Sequence, residues 1–383
     1  MKVALNGWFW DNPSVGSGQY LKYLLPALLE ADDQLEITLV SPKPIEPSPD
    51  LDHPRLKTHR ASTPLPNPSS NLSKVWFEQI SFPRVCKKLK VDLAHVPYFG
   101  SPLSPTVPTV VTIHDLIPMV LPEYRGGWRV RLYTSLVAAA APRATIILAD
   151  SEASKQDVLK RLGVPEAQVR VVYLAPAPHY QPAASWQQIV DVKKKYNLPD
   201  EFVLYLGGYD TRKNVSALLH AYTWVSATLK DAFPLVLAGQ LPRSDTPFFP
   251  DPLRIARELG IDEYIVTPGW IAEEDIPALY SAATVFVYPS RYEGFGLPVL
   301  EAMACGTPVV TTNAASIPEL AGPAAFQLDP ADTKHIAAPI LRLCTEQDSN
   351  DEMAERGFAQ VEKFSWQKTA AETLQAYRDA VGE

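Results

Sequence analysis

Short apolar runs alternate along the chain with stretches whose apolar residues recur every three or four positions. The runs at 2–5, 37–40, 93–96, 109–113, 146–149 and 169–173 read as strands, most of them buried on both faces. Between them, 19–30 places Tyr20, Leu21, Leu24, Leu25 and Leu28 at helical spacing. The spans 128–141 and 152–162 read as helices, and 72–89 as a helix pair broken near Pro83. Alternating strands and helices predict an α/β fold with a doubly wound parallel sheet. Alanine and proline take over at 175–184, which marks a domain boundary. A second α/β series follows: a strand at 202–206, a helix at 214–228, a strand at 235–238 and a helix at 252–259. Segments at 265–267, 276–281 and 283–288 continue it, and 366–381 is a terminal helix. The proline-rich span 41–70 reads as one long exposed loop.

The richest stretch is 288–311, YPSRYEGFGLPVLEAMACGTPVVT. An apolar run ends where a glycine-broken loop begins, Glu293-Gly294-Phe295-Gly296. Leu297-Pro298 then opens a short helical pattern, and Gly306 closes it before the next apolar run. The loop and helix start therefore lie at the carboxyl end of a strand, where open α/β sheets bind ligands. Backbone N–H groups and the positive helix end favour a phosphate there. Glu293 in the loop and Glu301 on the first helical turn flank the spot. Such a pair arises by chance on many surface helices. The Gly-Phe-Gly loop, which permits close backbone approach, lends it a functional meaning. The stretch reads as a nucleotide-sugar site.

A second glycine loop, Leu206-Gly207-Gly208-Tyr209-Asp210-Thr211-Arg212-Lys213-Asn214, sits between a strand and a helix. Its two cations oppose the helix dipole, a conflict that an anion between them would offset. Arg212 can bind phosphate oxygens bidentately, and Lys213 acts as a point charge. The alternative is a solvated charged loop. The spacing is not that of a Walker A loop. Gly16-Ser17-Gly18 resembles half a dinucleotide fingerprint, but Leu21 stands where the third glycine belongs. A tight turn bringing backbone near a ligand is the simpler reading. His114-Asp115 follows the run at 109–113, where a histidine can bond a sugar hydroxyl, shuttle a proton or serve structure alone. Asp50-Leu51-Asp52 has a metal-binding look but falls in the proline-rich span.

Composition narrows the classes. The net charge of −8 gives no global pull toward nucleic acid. Cys86, Cys305 and Cys344 form neither a disulfide framework nor a metal spacing, which suits a reducing compartment. The opening MKVALNGWFW reads as a first strand rather than a signal peptide, and no apolar run reaches membrane-spanning length. The expectation is a cytoplasmic protein. Trp76, Phe77 and Phe82 accompany Arg84, Lys87, Lys88 and Lys90, and Tyr124 and Trp128 accompany Arg125, Arg129 and Arg131. These segments read either as ordinary amphipathic faces or as a peripheral contact with the inner face of a membrane.

The residues quoted resemble glycosyltransferase family 4, the retaining nucleotide-sugar transferases of the GT-B fold, along nearly the full chain. EGFGLPVLEAMACGTPVV carries the strongest likeness, and the loop 207–214 is similar to the family's phosphate loop. Leu235 to Gly239, Val266-Thr267-Pro268-Gly269-Trp270, Ile113-His114-Asp115-Leu116 and Asp150-Ser151-Glu152 match further blocks, and His-Asp-Leu-Ile-Pro resembles the mannosyltransferase-like branch. The resemblance implies two Rossmann-like domains facing a central cleft, with the terminal helix crossing back to the N-terminal domain. Residues 1–176 would form the acceptor domain, 177–365 the nucleotide-sugar domain and 366–383 the returning helix. It implies a metal-independent reaction without a cofactor. Glu301 would bind the ribose hydroxyls. Glu293 and the Phe295-Gly296-Leu297 backbone would hold the donor sugar, and Arg212 and Lys213 the diphosphate. Gly16 and Gly18 would approach the diphosphate from the other domain, and His114 would face the transferred sugar. Gly269, Trp270 and Ile271 would lie near the base. Many members carry arginine where this chain has Gly208, which shifts weight onto Arg212 and Lys213. His114, Arg212, Lys213 and Glu293 are thus the expected catalytic residues. The expected reaction moves mannose from GDP-mannose, or a sugar from a UDP-sugar, to a glycan or lipid-linked acceptor hydroxyl. A sugar-nucleotide epimerase and a non-catalytic sugar-nucleotide-binding protein are the alternatives.

Overall fold

The computed structural model describes every residue except 13, 14, 47–50, 66 and 68. It divides into two units, Met1–Leu174 with Ser365–Glu383, and Ala175–Phe364. In the first unit the strands are β1 (Lys2–Asn6), β2 (Glu36–Ser41), β3 (Leu56–Arg60), β4 (Leu93–Val96), β5 (Thr109–Ile113), β6 (Ile146–Ala149) and β7 (Val169–Val171). They form one sheet in the order β3-β2-β1-β4-β5-β6-β7, every pair parallel. In the second unit β8 (Val203–Leu206), β9 (Leu235–Ala238), β10 (Ile265–Gly269), β11 (Val285–Tyr288), β12 (Val309–Thr312) and β13 (Ala325–Leu328) form a parallel sheet in the order β10-β9-β8-β11-β12-β13. Both sheets are doubly wound. The strand order reverses between β1 and β4 in one and between β8 and β11 in the other, and such reversals are where this architecture binds ligands.

The central strands explain themselves. β4, β5, β6, β9, β11 and β12 are buried along their whole length, as parallel strands covered by helices must be. The terminal helix Trp366–Val381 belongs to the first unit, where it buries Trp366, Leu374 and Tyr377. Tyr377 Oη lies 2.6 Å from His95 Nδ1, and the Trp366 ring packs against Tyr20 and Tyr23. Thr369 donates to the carbonyl of Tyr173 at 2.7 Å.

Several expectations need correction. The span 41–70 is not all loop: it contains β3, whose single buried residue, Leu56, leaves no alternation to read. A polar edge strand takes its form from its neighbour, here β2. The break near Pro83 is absent. Asn71–Trp76, a π-helical turn at Phe77–Ser81 and Phe82–Leu89 run on without a gap. The wider turn precedes Pro83, which sits in the first turn of the last segment, where its missing N–H is tolerated. Gly16 and Gly18 do not form a turn before a helix. The helix is Gly16–Ala31, so both lie in its first turn. A side chain at Gly18 would meet the carbonyl oxygen of Asn12 at 2.1 Å, so the chain's own backbone makes the close approach there. Helices at Trp186–Tyr196, Thr333–Thr345 and Gln347–Val361, for which the reading gives no expectation, complete the second unit. Asp50 of the Asp50-Leu51-Asp52 motif lies outside the described residues. Among the described residues no group of three or more His, Cys, Asp or Glu is placed to hold a metal ion, and no helix is long and apolar enough to cross a membrane.

Candidate functional site

β8 and β11 are hydrogen-bonded neighbours, with Val203 opposite Val285 and Leu204 opposite Phe286. The loops that leave their carboxyl ends are the two glycine-bearing stretches, separated by about eighty residues of sequence. Backbone groups of both loops take part in joining them. Arg291 N–H donates to the carbonyl of Arg212 at 2.8 Å, and Asn214 Nδ2 to that of Pro289 at 3.2 Å. Asn214 holds a left-handed φ of +58° between the turn Thr211–Lys213 and the helix Val215–Leu229, a conformation its short polar side chain tolerates.

This stapling places Glu293 between the two cations. Lys213 Nζ lies 2.7 Å from Oε1 and Arg212 Nη1 lies 2.5 Å from Oε2. Oε1 also accepts hydrogen bonds from Ser290 at 2.6 Å and from the Tyr288 hydroxyl at 2.9 Å. With three donors, Oε1 has little capacity left, whereas Oε2 can accept further bonds. Arg212 Nε stands 3.6 Å from Asp210 and Nη1 donates to the carbonyl of Tyr292 at 2.9 Å. The anion that the two cations call for is thus a residue of the chain itself. Burial alone would raise the Glu293 carboxyl, but Lys213 and Arg212 hold it down at about 2.

Glu301 is in the opposite state. The helix is Leu297–Ala304, with Gly296 at its cap at φ +110° and Pro298 at its second position. Glu301 is therefore its fifth residue and lies beyond the first turn, contrary to the expectation, so the helix end does little for its charge. The positive φ at Gly296, which L side chains rarely adopt, reserves that corner for glycine. Burial pushes the Glu301 carboxyl up to about 8, and the Tyr280 hydroxyl, 3.5 Å away, offsets only part of this. Two glutamates on one loop and helix are driven to opposite charge states near neutrality.

The other expected residues are spread over both units. Gly208 is exposed on its loop. Gly269 ends β10, followed by Trp270, 71% exposed, and the buried Ile271. Phe295 is buried against Phe364, and its carbonyl accepts from Ser316 at 2.6 Å. In the first unit nothing lies within 4 Å of a Cβ at Gly16. His114, just past β5, faces Asp150, just past β6: Nδ1 lies 2.7 Å from Oδ2, while Nε2 lies 3.1 Å from the carbonyl of Pro97. Sequence reasoning assigned no role to Tyr288, Ser290, Asn214 or Asp150. Each stands at or just past a strand end or in one of the two loops, and the order of neighbouring strands was the signal that could have found them.

These opposite states have opposite consequences for stability. The Glu293 contribution is present above about pH 4.5 and is lost as pH falls toward about 2. The folded pKa of Glu301 is raised, so its contribution is full below about pH 4.5 and is lost as pH rises toward about 8. Glu301→Gln should therefore be more stable than the parent at about pH 8, by up to a few kcal/mol and with a higher melting temperature, and match it near pH 4.5. Calorimetry across that window checks this. A variant melting no higher at the alkaline end would overturn the assignment.

Two family models match the chain: Glycosyltransferase Family 4 over residues 15–175 and Glycosyl transferases group 1 over 188–360. The chain is 36% identical to the O-antigen chain mannosyltransferase B of Escherichia coli, over 70% of each protein. It is 34% identical to the serotype-specific mannosyltransferase WbdA of Escherichia coli, over 70% of this chain but only 33% of that longer protein. It is 28% identical to the MMP alpha-(1->4)-mannosyltransferase of Mycolicibacterium hassiacum, over 100% and 98% of the two chains. Among solved structures, the sucrose-phosphate synthase of Thermosynechococcus elongatus superposes with a TM-score of 0.74 at 21% identity, covering 99% of this chain and 98% of that one. HepE of Anabaena, solved with UDP and glucose, gives 0.72 at 19%, covering 98% and 100%. At such identities the likeness is one of fold, the two-Rossmann GT-B class. The relatedness in sequence goes further: this chain belongs to glycosyltransferase family 4.

Proposed function

We propose that the protein is a retaining mannosyltransferase that uses GDP-mannose and transfers mannose to a hydroxyl of a growing glycan or lipid-linked sugar. The observation that carries this reading is the Arg212–Glu293–Lys213 cluster at the carboxyl ends of two adjacent central strands. The mannosyltransferase names of the relatives favour mannose. Arg212, Lys213 and backbone N–H groups near the helix start would stabilise the leaving diphosphate. Glu293, kept ionised, would accept sugar hydroxyls through Oε2. Glu301 would accept the ribose hydroxyls, and the donors they bring would favour its charged form. The bond from the anomeric carbon to the phosphate oxygen breaks, the acceptor oxygen bonds to that carbon on the same face, and the acceptor's proton passes to the leaving diphosphate. No metal or cofactor enters this scheme.

A thermal-shift screen of GDP, UDP and ADP and their sugars tests the donor. GDP-mannose should raise the melting temperature most, because only a ligand that binds the folded state stabilises it. NMR of the sugar with donor alone separates transfer from epimerisation, since an epimerase needs no acceptor. No shift with any nucleotide diphosphate would point to another function.

Lys213→Ala should lower turnover at saturating donor at least about tenfold, roughly 1.4 kcal/mol. It also leaves the Glu293 charge half-compensated, so activity is to be compared where the variant remains folded. Undiminished turnover would remove Lys213 from the chemistry.

We also propose that the helix Trp128–Ala140 rests on an anionic membrane. Trp128 and Leu132 are 70% and 64% exposed beside the exposed Arg125, Arg129 and Arg131, whereas Phe77 and Phe82 of the earlier basic-aromatic segment are core residues. Apolar side chains among arginines match an interface of acyl chains and anionic headgroups. The protein should sediment with phosphatidylglycerol vesicles and not with phosphatidylcholine vesicles, and Trp128→Ser with Leu132→Ser should weaken this at least about threefold. Equal recovery with both lipids would reject the contact.

A further inference from the structure

We propose that Asp150 is a positioning residue that holds the His114 imidazole doubly protonated, so that His114 serves the glycosyl transfer proposed above as a fixed cation and not as a proton shuttle. The kinetic meaning rests on that transfer, whereas the protonation state does not.

The pair follows from strand register. β5 and β6 are parallel neighbours with Ile113 opposite Ala149, so the next residue of each strand with a long polar side chain, His114 and Asp150, meets its counterpart. The Pro97 carbonyl, 3.1 Å from Nε2, has no proton to give, so Nε2 carries one. Were that the only proton on the ring, the Nδ1 lone pair would face a carboxylate oxygen at 2.7 Å. Repulsion at that distance requires a second proton between Nδ1 and Oδ2. The surroundings assign it to the ring. Burial alone would lower the imidazole's affinity for a proton, but the charge and hydrogen bond of Asp150, the charge of Asp115 and the Pro97 bond outweigh it, and the net shift is upward.

The other groups facing the ring do not reverse this balance. His95 on β4 is the cationic competitor, but complete burial drives its pKa down to about 3, so it stays neutral between the hydroxyls of Thr112 and Tyr377. Tyr20, from the helix Gly16–Ala31, packs edge-on against the His114 ring at 5.0 Å, and burial raises its hydroxyl well beyond neutrality. Ser154, from the helix Glu152–Leu162, donates to the His114 carbonyl at 3.2 Å. The ring is therefore held on both nitrogens and packed against Tyr20.

A histidine that donates from both nitrogens has no lone pair to receive the acceptor's proton. The balance of the proposed reaction needs none: that proton goes to the leaving diphosphate. What His114 adds is positive charge in a fixed place.

Selective ¹⁵N-histidine labelling and two-bond ¹H–¹⁵N correlation on the free protein test the protonation state, with His114→Gln assigning the resonance. Both ring nitrogens should show protonated shifts at about pH 7, and Asp150→Asn should move the midpoint down by at least about one unit. In activity, Asp150→Asn should leave the donor KM within about threefold while kcat falls about tenfold as pH rises from about 6 to about 8. Asp150→Glu should restore a flat profile. A wild-type ring with one protonated nitrogen at about pH 7, or an asparagine variant with unchanged titration, would overturn the proposal. The spectrum needs no substrate, so it fails or holds apart from the transferase reading, and the wild-type measurement stands even if the variant folds poorly.

Discussion

A carboxylate buried between two cations sets the terms for the second unit. Glu293 is 8% exposed, and an isolated ionised carboxylate at that depth would neutralise itself. Lys213 and Arg212 prevent this, and the resulting shift from 4.5 to about 2 corresponds to roughly 3 kcal/mol. The arrangement is only as good as its weakest member, because removing one partner leaves the others buried and uncompensated. The cations lie on one loop and the carboxylate on another, so β8 and β11 must be neighbours for the cluster to exist. Sheet order, loop stapling through Arg291 and Asn214, and the charge state of the site are one constraint seen at three scales.

The same logic runs through the other ionisable groups, with different outcomes. Glu301, on the helix that leaves the Glu293 loop, lacks a cation, and burial governs it instead. His114 has a carboxylate and a carbonyl against its two nitrogens, and its charge follows from those acceptors. His95, equally buried but facing hydroxyls, goes the other way. Residue type sets none of these states; burial and the nearest charged partner do.

Much of the architecture was legible. Buried parallel strands such as Val285–Tyr288 are apolar on successive residues, and helices such as Gly16–Ala31 carry a face of leucine and tyrosine. Elements that bury little were not. β3 hides one residue, and the helix Trp186–Tyr196 buries only Val192. Pro83 misled because a π-helical turn before it lets the helical run continue. The site was legible as chemistry but not as geometry. Glu293, Arg212 and Lys213 were singled out separately and given to different parts of a ligand, while the structure joins them directly.

The sequence by itself determined the two α/β series and the family. These depend on local backbone rules and on the period of burial, which a linear string records. Only the tertiary structure decided that Glu293 is held ionised between Lys213 and Arg212, that Glu301 is driven toward its neutral form, and that Asp150 stands against His114. Charge states depend on distances of a few ångströms between residues tens of positions apart. Those distances are set by which strands lie side by side, and a sequence read in order does not contain that arrangement.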